Sequence, residues 1–274
     1  MSLGILAACG GGDEGRHIAD APVGVAIDGA VDAVPAGCVP TGPEVCDHID
    51  NDCNGLVDDL DVGNDGIYDC QHVLLLGSPG ANGTSNFSAW AHGNGTTVTR
   101  ITDPAVVVDA MLLDQYDLVM LDQLPRIYTA EEATALATWV HAGGGLMSLS
   151  GYTGAASDYT YPNSLISGLG AQFGGALASA TVTDFTTHPL TTDLTSVTFQ
   201  GGFAVIVDDP QTSPTTVIAT INAGATPIAT ATTYGAGRMY LWGDEWITFD
   251  SVWSGNPEMP KFWADAFGWL GRFR

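Results

Sequence analysis

Two groups of residues carry most of the chemical potential of this chain. The first is a run of oxygen-bearing side chains at alternate positions, Asp50, Asp52 and Asn54, followed by Gly55, Leu56, Asp58 and Asp61. Ca²⁺ takes about six to eight hard oxygens at roughly 2.3–2.6 Å, and alternate residues of a tight loop aim theirs at one centre. With Asp50 at the first position of an EF-hand-type loop, Asp52 and Asn54 supply the third and fifth ligands and Gly55 the sharp turn. Leu56 offers a backbone carbonyl, and Asp58 and Asp61 fall at the ninth and twelfth places. The expected cofactor is therefore Ca²⁺, a hard divalent cation, with Asp61 reaching less far than the Glu usual at the last place. Asp61, Asp65, Gly66 and Asp69 imitate a second loop, but Gly63 stands where its third ligand belongs, and the stretch reads as a turn-rich connector.

The second group is dispersed. Ser150 ends the apolar run Leu146-Met147-Ser148-Leu149 and precedes Gly151, a place where a nucleophile could stand. A serine nucleophile needs a neighbouring base, and the histidines beyond residue 70 are His72, His92, His141 and His188. Asp244 and Glu245 follow the apolar run Met239 to Trp242, so two carboxylates and the Trp246 ring project at a strand end, where ligands bind in open sheets. Paired acids divide acid and base roles when their surroundings separate their pKa values, and Trp246 or Trp253 could stack on a sugar. Three functions stay open at this point: a non-catalytic binding module, a hydrolase acting on carbohydrate or ester substrates through Ser150 or through Asp244 and Glu245, or a purely structural envelope protein.

The elements that must position these residues begin at residue 72. From there apolar runs alternate with helical segments, the signature of a parallel sheet with crossover helices. Strands are expected at 72–77, 97–101, 117–121 and 146–150, then at 180–184, 195–199, 203–207, 215–221, 226–232 and 237–242. A helix is expected over 130–142. Thr129 and Glu132 form its capping box, Ala133, Leu136, Ala137 and Val140 share one face, and Gly143 ends it. A closing helix is expected at about 258–271.

Composition divides the chain before that point. Residues 1–70 hold fourteen of the thirty-one acids, one of the seven basic residues and all five cysteines. A net charge of −24 disfavours nucleic acid, which needs clustered Lys and Arg, and favours cations as partners. Leu6-Ala7-Ala8-Cys9 matches a lipoprotein signal-peptidase box, followed by a Gly-rich polar tether. No stretch is long and apolar enough to span a bilayer, so a membrane is expected only through a lipid anchor at Cys9, on an envelope or extracellular protein. In such a compartment Cys38, Cys46, Cys53 and Cys70 are expected to form two disulfides, with three pairings open. Three segments result: 1–37 as lipoprotein-type N-terminus and linker, 38–70 as a Cys/Asp-rich metal-binding segment, and 72–274 as an α/β domain.

Residues 44–59, Glu-Val-Cys-Asp-His-Ile-Asp-Asn-Asp-Cys-Asn-Gly-Leu-Val-Asp-Asp, resemble the short MopE-type metal-binding motif of bacterial surface proteins, with His48 and Asn54 where Gly and Asp are commoner. That name implies copper, whereas the oxygen ligands favour calcium. A second resemblance rests on Tyr116 to Asp122, Trp139 to Leu146, His188-Pro189-Leu190, Tyr234 to Tyr240 and the Phe262 to Leu270 helix. These segments are similar to the class I glutamine amidotransferase-like superfamily, in particular its ThuA-like branch. The resemblance implies a flavodoxin-like, mostly parallel sheet with flanking helices and a cleft beyond the strand C-termini. In catalytic members a Cys occupies the elbow after the strand matching 146–150, but here no Cys follows Cys70, so glutaminase chemistry is not expected. The function expected is that of an exported cation-binding protein whose amidotransferase-like domain serves as a ligand-binding or envelope module, with carbohydrate or another envelope component as its partner.

Overall fold

The computed structural model describes residues 38–271 except 47–48, 56–57, 63, 65–66, 68, 152 and 209–213. The expected anchor at Cys9, the 1–37 linker and the Leu56 carbonyl lie outside the described residues.

The first half of the domain alternates strand and helix: β1 (His72–Leu76), α1 (Ser85–Gly93), β2 (Thr97–Ile101), α2 (Ala110–Leu113), β3 (Leu118–Leu121), α3 (Ala130–His141), β4 (Gly145–Leu149) and α4 (Ser157–Ile166). Then come β5 (Ala171–Val182), β6 (Asp184–Phe185), β7 (Val197–Val207), β8 (Thr215–Ile221), β9 (Thr226–Tyr234) and β10 (Gly237–Trp242), closed by α5 (Asp250–Gly255) and α6 (Met259–Leu270). The main sheet runs β2-β1-β3-β4-β10-β9-β8-β6. Pairing is parallel from β2 through to β10 and antiparallel from β10 outward to β6.

Successive strand residues enter opposite cores, as the two-residue period of a strand requires. Leu118 and Met120 join the side covered by α6 through Phe262, Trp263 and Phe267. Val119 and Leu121 join the side covered by α3 and α4 through Leu136, Trp139, Val140, Leu165 and Ile166. The result is the expected flavodoxin-like α/β architecture, helices on both faces of a mostly parallel sheet.

Beyond residue 170 the structure corrects the expected strands. The segments expected at 195–199 and 203–207 are one strand, β7, paired antiparallel with β5 in a separate two-stranded sheet. Ser179 pairs with Gln200 and Ala178 with Gly202, so Gly201, at φ 76°, is an extra residue in the ladder. A glycine adopts that left-handed backbone without the Cβ penalty, and a bulge results where the pattern had read as a break. The strand expected at 180–184 is mostly the end of β5.

Within the Cys/Asp-rich segment, Cys38 is bonded to Cys53 and Cys46 to Cys70. The segment is also docked on the domain. Ile67 is buried in the cluster that holds Val73, Phe87 and Phe267, and the Gln71 amide donates to the Phe267 carbonyl at 3.4 Å.

One clamp fixes the loop between β3 and α3, which runs to the strand-end face of the sheet. Thr129 and Glu132 form the expected capping box. The Glu132 carboxylate also accepts both Arg126 Nη1 and Nη2, at 2.8 and 2.6 Å, and the Val108 amide at 3.1 Å. Its hydrogen bonds to Arg126 hold the Glu132 carboxyl down to about 2 against the opposing effect of burial.

Two predictions follow from this framework. Non-reducing peptide mapping should recover Cys38 with Cys53 and Cys46 with Cys70, and a Cys46–Cys53 link would contradict the fold of the segment. Glu132→Gln should cost about 2–3 kcal/mol at pH 7, somewhat less than for a fully buried pair because Arg126 stays partly solvated. A carboxyl with a depressed folded pKa contributes stability above its unfolded value and loses it as pH falls towards about 2. Urea titrations of the two proteins should therefore converge between pH 4.5 and 2, and a difference independent of pH would count against the clamp.

Candidate functional site

Parallel pairing of β10 with β4 aligns Leu241 with Ser148 and Trp242 with Leu149. The residues that leave the two strands, Gly243 to Glu245 and Ser150-Gly151, are therefore neighbours at the C-terminal edge of the sheet. A cavity of about 210 Å³ opens there, with Gln123, Leu149, Ser150, Gly151, Asp158 and Glu245 in its wall.

The turn after β4 is built on Gly151, at φ 124°. A Cβ there would lie 2.5 Å from the Gly201 carbonyl oxygen and 2.9 Å from Glu245 Oε2. The tightest point of the elbow thus has no room for a side chain, nucleophilic or otherwise. The β7 bulge is what presses the Gly201 carbonyl against it.

Ser150 lines the cavity, but its hydroxyl donates to the Asp158 carbonyl at 2.9 Å rather than to a base. The Asp158 carboxylate accepts the Thr153 amide, the Thr153 hydroxyl and the Gly154 amide, tying down the loop beside the cavity. No histidine belongs to the cavity wall among the described residues. His188 instead caps the short 3-10 turn at 189–191, where its Nδ1 accepts the Leu190 amide at 3.1 Å, and its ring packs on Trp269. Burial, then the nearby Arg238, lowers its pKa.

The two acids at the end of β10 have different surroundings. Asp244 Oδ2 accepts the Gln200 amide at 2.6 Å and Oδ1 the Trp246 amide at 2.9 Å, which caps the 3-10 turn Glu245–Thr248. Burial pushes its carboxyl up to about 8 against those two donors. Glu245 is 1% exposed and lines the cavity, yet neither carboxyl oxygen has a hydrogen-bond partner. Burial, followed by the charges of Asp244 and Asp122, pushes it up to about 9. Glu245, the more strongly shifted of the two and without a hydrogen-bond donor, is held in the protonated form at neutral pH.

Sequence inspection missed three further contributors. Asp122 is fully buried at the end of β3, with Oδ2 paired to Arg100 Nη1 at 2.9 Å and Oδ1 without a partner. Arg100 also donates to the Gly77 carbonyl at 3.2 Å, so one guanidinium ties the ends of β1, β2 and β3 together. Gln123 takes a left-handed φ of 48° and presents a buried amide nitrogen, also without a partner. It lies near enough to Glu245 to draw that carboxyl's pKa down, but the two do not meet in hydrogen-bond geometry. The rule that ligands bind beyond parallel strand ends, applied to β3 as it was to β10, would have found Asp122 and Gln123. The rings expected to stack on a sugar serve packing: Trp246 lies against Phe249, and Trp253 against Trp90 with its indole nitrogen donating to the Ile247 carbonyl.

The acidic loop lies towards the other end of the sheet. Asp50 accepts the Asn54 and Gly55 amides at 3.1 and 3.0 Å, the tight turn for which Gly55 was singled out. Carboxylate oxygens of Glu44, Asp52 and Asp59 lie within 4.8 Å of one another, and the Asn54 amide bridges Asp52 and Asp59. Glu44 is buried and accepts the Asp52 and Asp58 amides at 2.9 and 3.1 Å. Desolvation raises the pKa of Asp59, with Asp52 and Glu44 adding to it against the Asn54 hydrogen bond. Of the expected ligand set only Asp52 belongs to this converging trio, while Asp58 and Asp61 stand outside it. The donors are hard oxygens, chemistry that suits Ca²⁺ better than a soft metal.

The fold places the chain among known structures. The mmIFT52 N-terminal domain superposes with a TM-score of 0.60 at 17% identity, covering 72% of this chain and 96% of that one. A cytoplasmic protein from Salmonella typhimurium LT2 gives a TM-score of 0.54 at 16% identity, over 73% of this chain and the whole of that one. A ThuA-like protein from Bacteroides uniformis gives 0.50 at 16% identity, over 73% and 91% of the two chains. Identities this low establish the shared fold and nothing finer. Comparison with curated proteins yields no match. Residues 77–250 match the family model described as ThuA, trehalose utilisation, which spans more than half the sequence, and the chain belongs to the ThuA family.

Proposed function

We propose that the ThuA domain is a non-catalytic ligand-binding module of an exported, envelope-bound protein, and that its cavity takes a small hydroxylated ligand of the carbohydrate class. The observation that carries this reading is Glu245, a buried carboxyl with two unpartnered oxygens in the wall of the cavity. An unsatisfied buried polar group costs about 1–3 kcal/mol, and a hydroxylated ligand would recover that. The family description, trehalose utilisation, names a sugar and points the same way.

A hydrolase on the same scaffold has less behind it. The Ser150 hydroxyl is bound to a carbonyl, the Asp244 carboxyl to two backbone amides, and glutaminase chemistry has neither its thiol nor space for one at Gly151.

The same reading assigns Ca²⁺ to the 50–61 loop, with Asp50, Asp52, Asn54, Leu56, Asp58 and Asp61 as ligands, and a lipid anchor to Cys9. Convergence of carboxylates around Asp52 supports the cation. Two cross-links hold the loop's frame independently of metal, so binding is expected to be a stabilising rather than an obligatory event.

Saturation-transfer NMR with a panel of sugars and polyols should detect a binder, and Glu245→Leu, which removes the hydrogen-bonding atoms at similar volume, should abolish the signal. Silence across the whole panel would sink the assignment. For the loop, calorimetric titration of metal-stripped, oxidised protein with Ca²⁺ should show one site that Asp52→Ala removes. A flat titration of the unaltered protein would rule calcium out.

A further inference from the structure

The cavity at the strand ends carries more information than the class of its ligand. Its polar atoms without hydrogen-bond partners are of two kinds and lie near one another, the Gln123 amide nitrogen as donor and the two Glu245 oxygens. The other polar groups nearby are engaged. Ser150 is bound to the Asp158 carbonyl, Asp158 to the Thr153–Gly154 turn, and Arg100 to Asp122 and the Gly77 carbonyl.

Size adds a second constraint. About 210 Å³ is below the roughly 300–1,000 Å³ of pockets that enclose drug-sized ligands. The wall cannot easily retreat. Gly151 is wedged between the Gly201 carbonyl and Glu245, and the 153–158 loop is closed by three hydrogen bonds from Thr153 and Gly154 to one carboxylate.

Charge adds a third. The groups facing Glu245 are Asp244 on its own segment and Asp122 from the end of β3, with Arg100 already spent on Asp122. An anionic ligand would meet acidic groups and no free cation among the described residues that line the cavity. A cationic ligand would require ionised Glu245, and burial holds that carboxyl in its protonated form up to about pH 9.

Resting on the ligand-binding reading above, we propose that the cavity admits one uncharged sugar ring, or a polyol of that size, with two neighbouring hydroxyls held side by side by the adjacent Gln123 amide and Glu245 carboxyl. A hydroxyl both donates and accepts, so an adjacent pair satisfies a pure donor and a protonated carboxyl set next to each other. A second ring of a disaccharide stays outside the cavity and adds little.

Titration calorimetry of the full chain tests this with myo-inositol, the methyl aldohexopyranosides, trehalose, a methyl amino-sugar glycoside and a uronic acid. At least one neutral single-ring compound should saturate, with trehalose no tighter and the amino and acidic compounds at least about tenfold weaker. Gln123→Met, which keeps shape and removes the donor, should weaken binding about tenfold or more at an unchanged melting temperature. Glu245→Gln should retain binding within a few-fold, because a carboxamide also donates and accepts; this variant decides the matter should Gln123→Met fail to fold. Trehalose binding while every single ring is silent would overturn the one-ring claim alone. Tighter binding of the amino sugar, or loss of binding in Glu245→Gln, would overturn the uncharged recognition. No binding by any compound would overturn the underlying ligand-binding reading as well.

Discussion

Parallel pairing between β4 and β10 is the contact on which the rest of the site depends. These strands are separated by nearly ninety residues, yet their register sets Gly243 to Glu245 beside Ser150 and Gly151. It is also where the sheet changes character, since β10 pairs parallel with β4 on one side and antiparallel with β9 on the other. The connection between β4 and β10 is accordingly long, and it brings the β5–β7 ribbon back over the strand ends. Glycines make this possible. Gly202 approaches the Gly243 carbonyl so closely that a Cβ would lie 2.2 Å from it, and Gly243 meets the Phe203 carbonyl at 2.0 Å in the same sense.

The consequence of that close packing is a strand-end face with acids out of water. Burying a carboxyl is costly unless it is neutral, paired or hydrogen-bonded, and the three acids here meet that cost in three ways. Asp122 is paired with Arg100, Asp244 is held by two backbone amides, and Glu245 is held protonated with no partner at all. The first two are parts of the scaffold. The third has no hydrogen-bond partner, and the Gln123 amide lies near it in the wall of the same cavity.

The Cys/Asp-rich segment obeys a different constraint. It has few apolar residues to bury, and its described structure is held by two cross-links, by backbone amides bonded to acidic side chains, and by Ile67 set into the main core. Each disulfide joins distant parts of the segment, and Glu44 reaches across from outside the loop to hold Asp52 and Asp58. Docking at the start of β1 places the segment at the opposite end of the sheet from the cavity, so the acidic loop and the cavity are physically separate features of one molecule.

Much of this was legible in the residues themselves. Apolar runs alternating with helical patterns declare the parallel α/β sheet, Thr129 and Glu132 declare the start of α3, and four cysteines near the acidic loop declare two cross-links. The absence of cysteine after Cys70 removes the thiol reaction of the wider superfamily, and Gly243 to Glu245 is recognisable as a strand-end site. These features are local, set by periodicity, capping and composition. Only the tertiary structure decided which cysteines pair, that 197–207 is one bulged strand, and that Ser150 and His188 never meet at a common cavity. It alone separated Asp244, consumed by backbone amides, from Glu245, left without a hydrogen-bond partner, and set the Gln123 amide near it. Adjacent residues of the same chemical type acquire opposite roles through the backbone that packs against each, and those contacts come from strands and bulges distant in sequence.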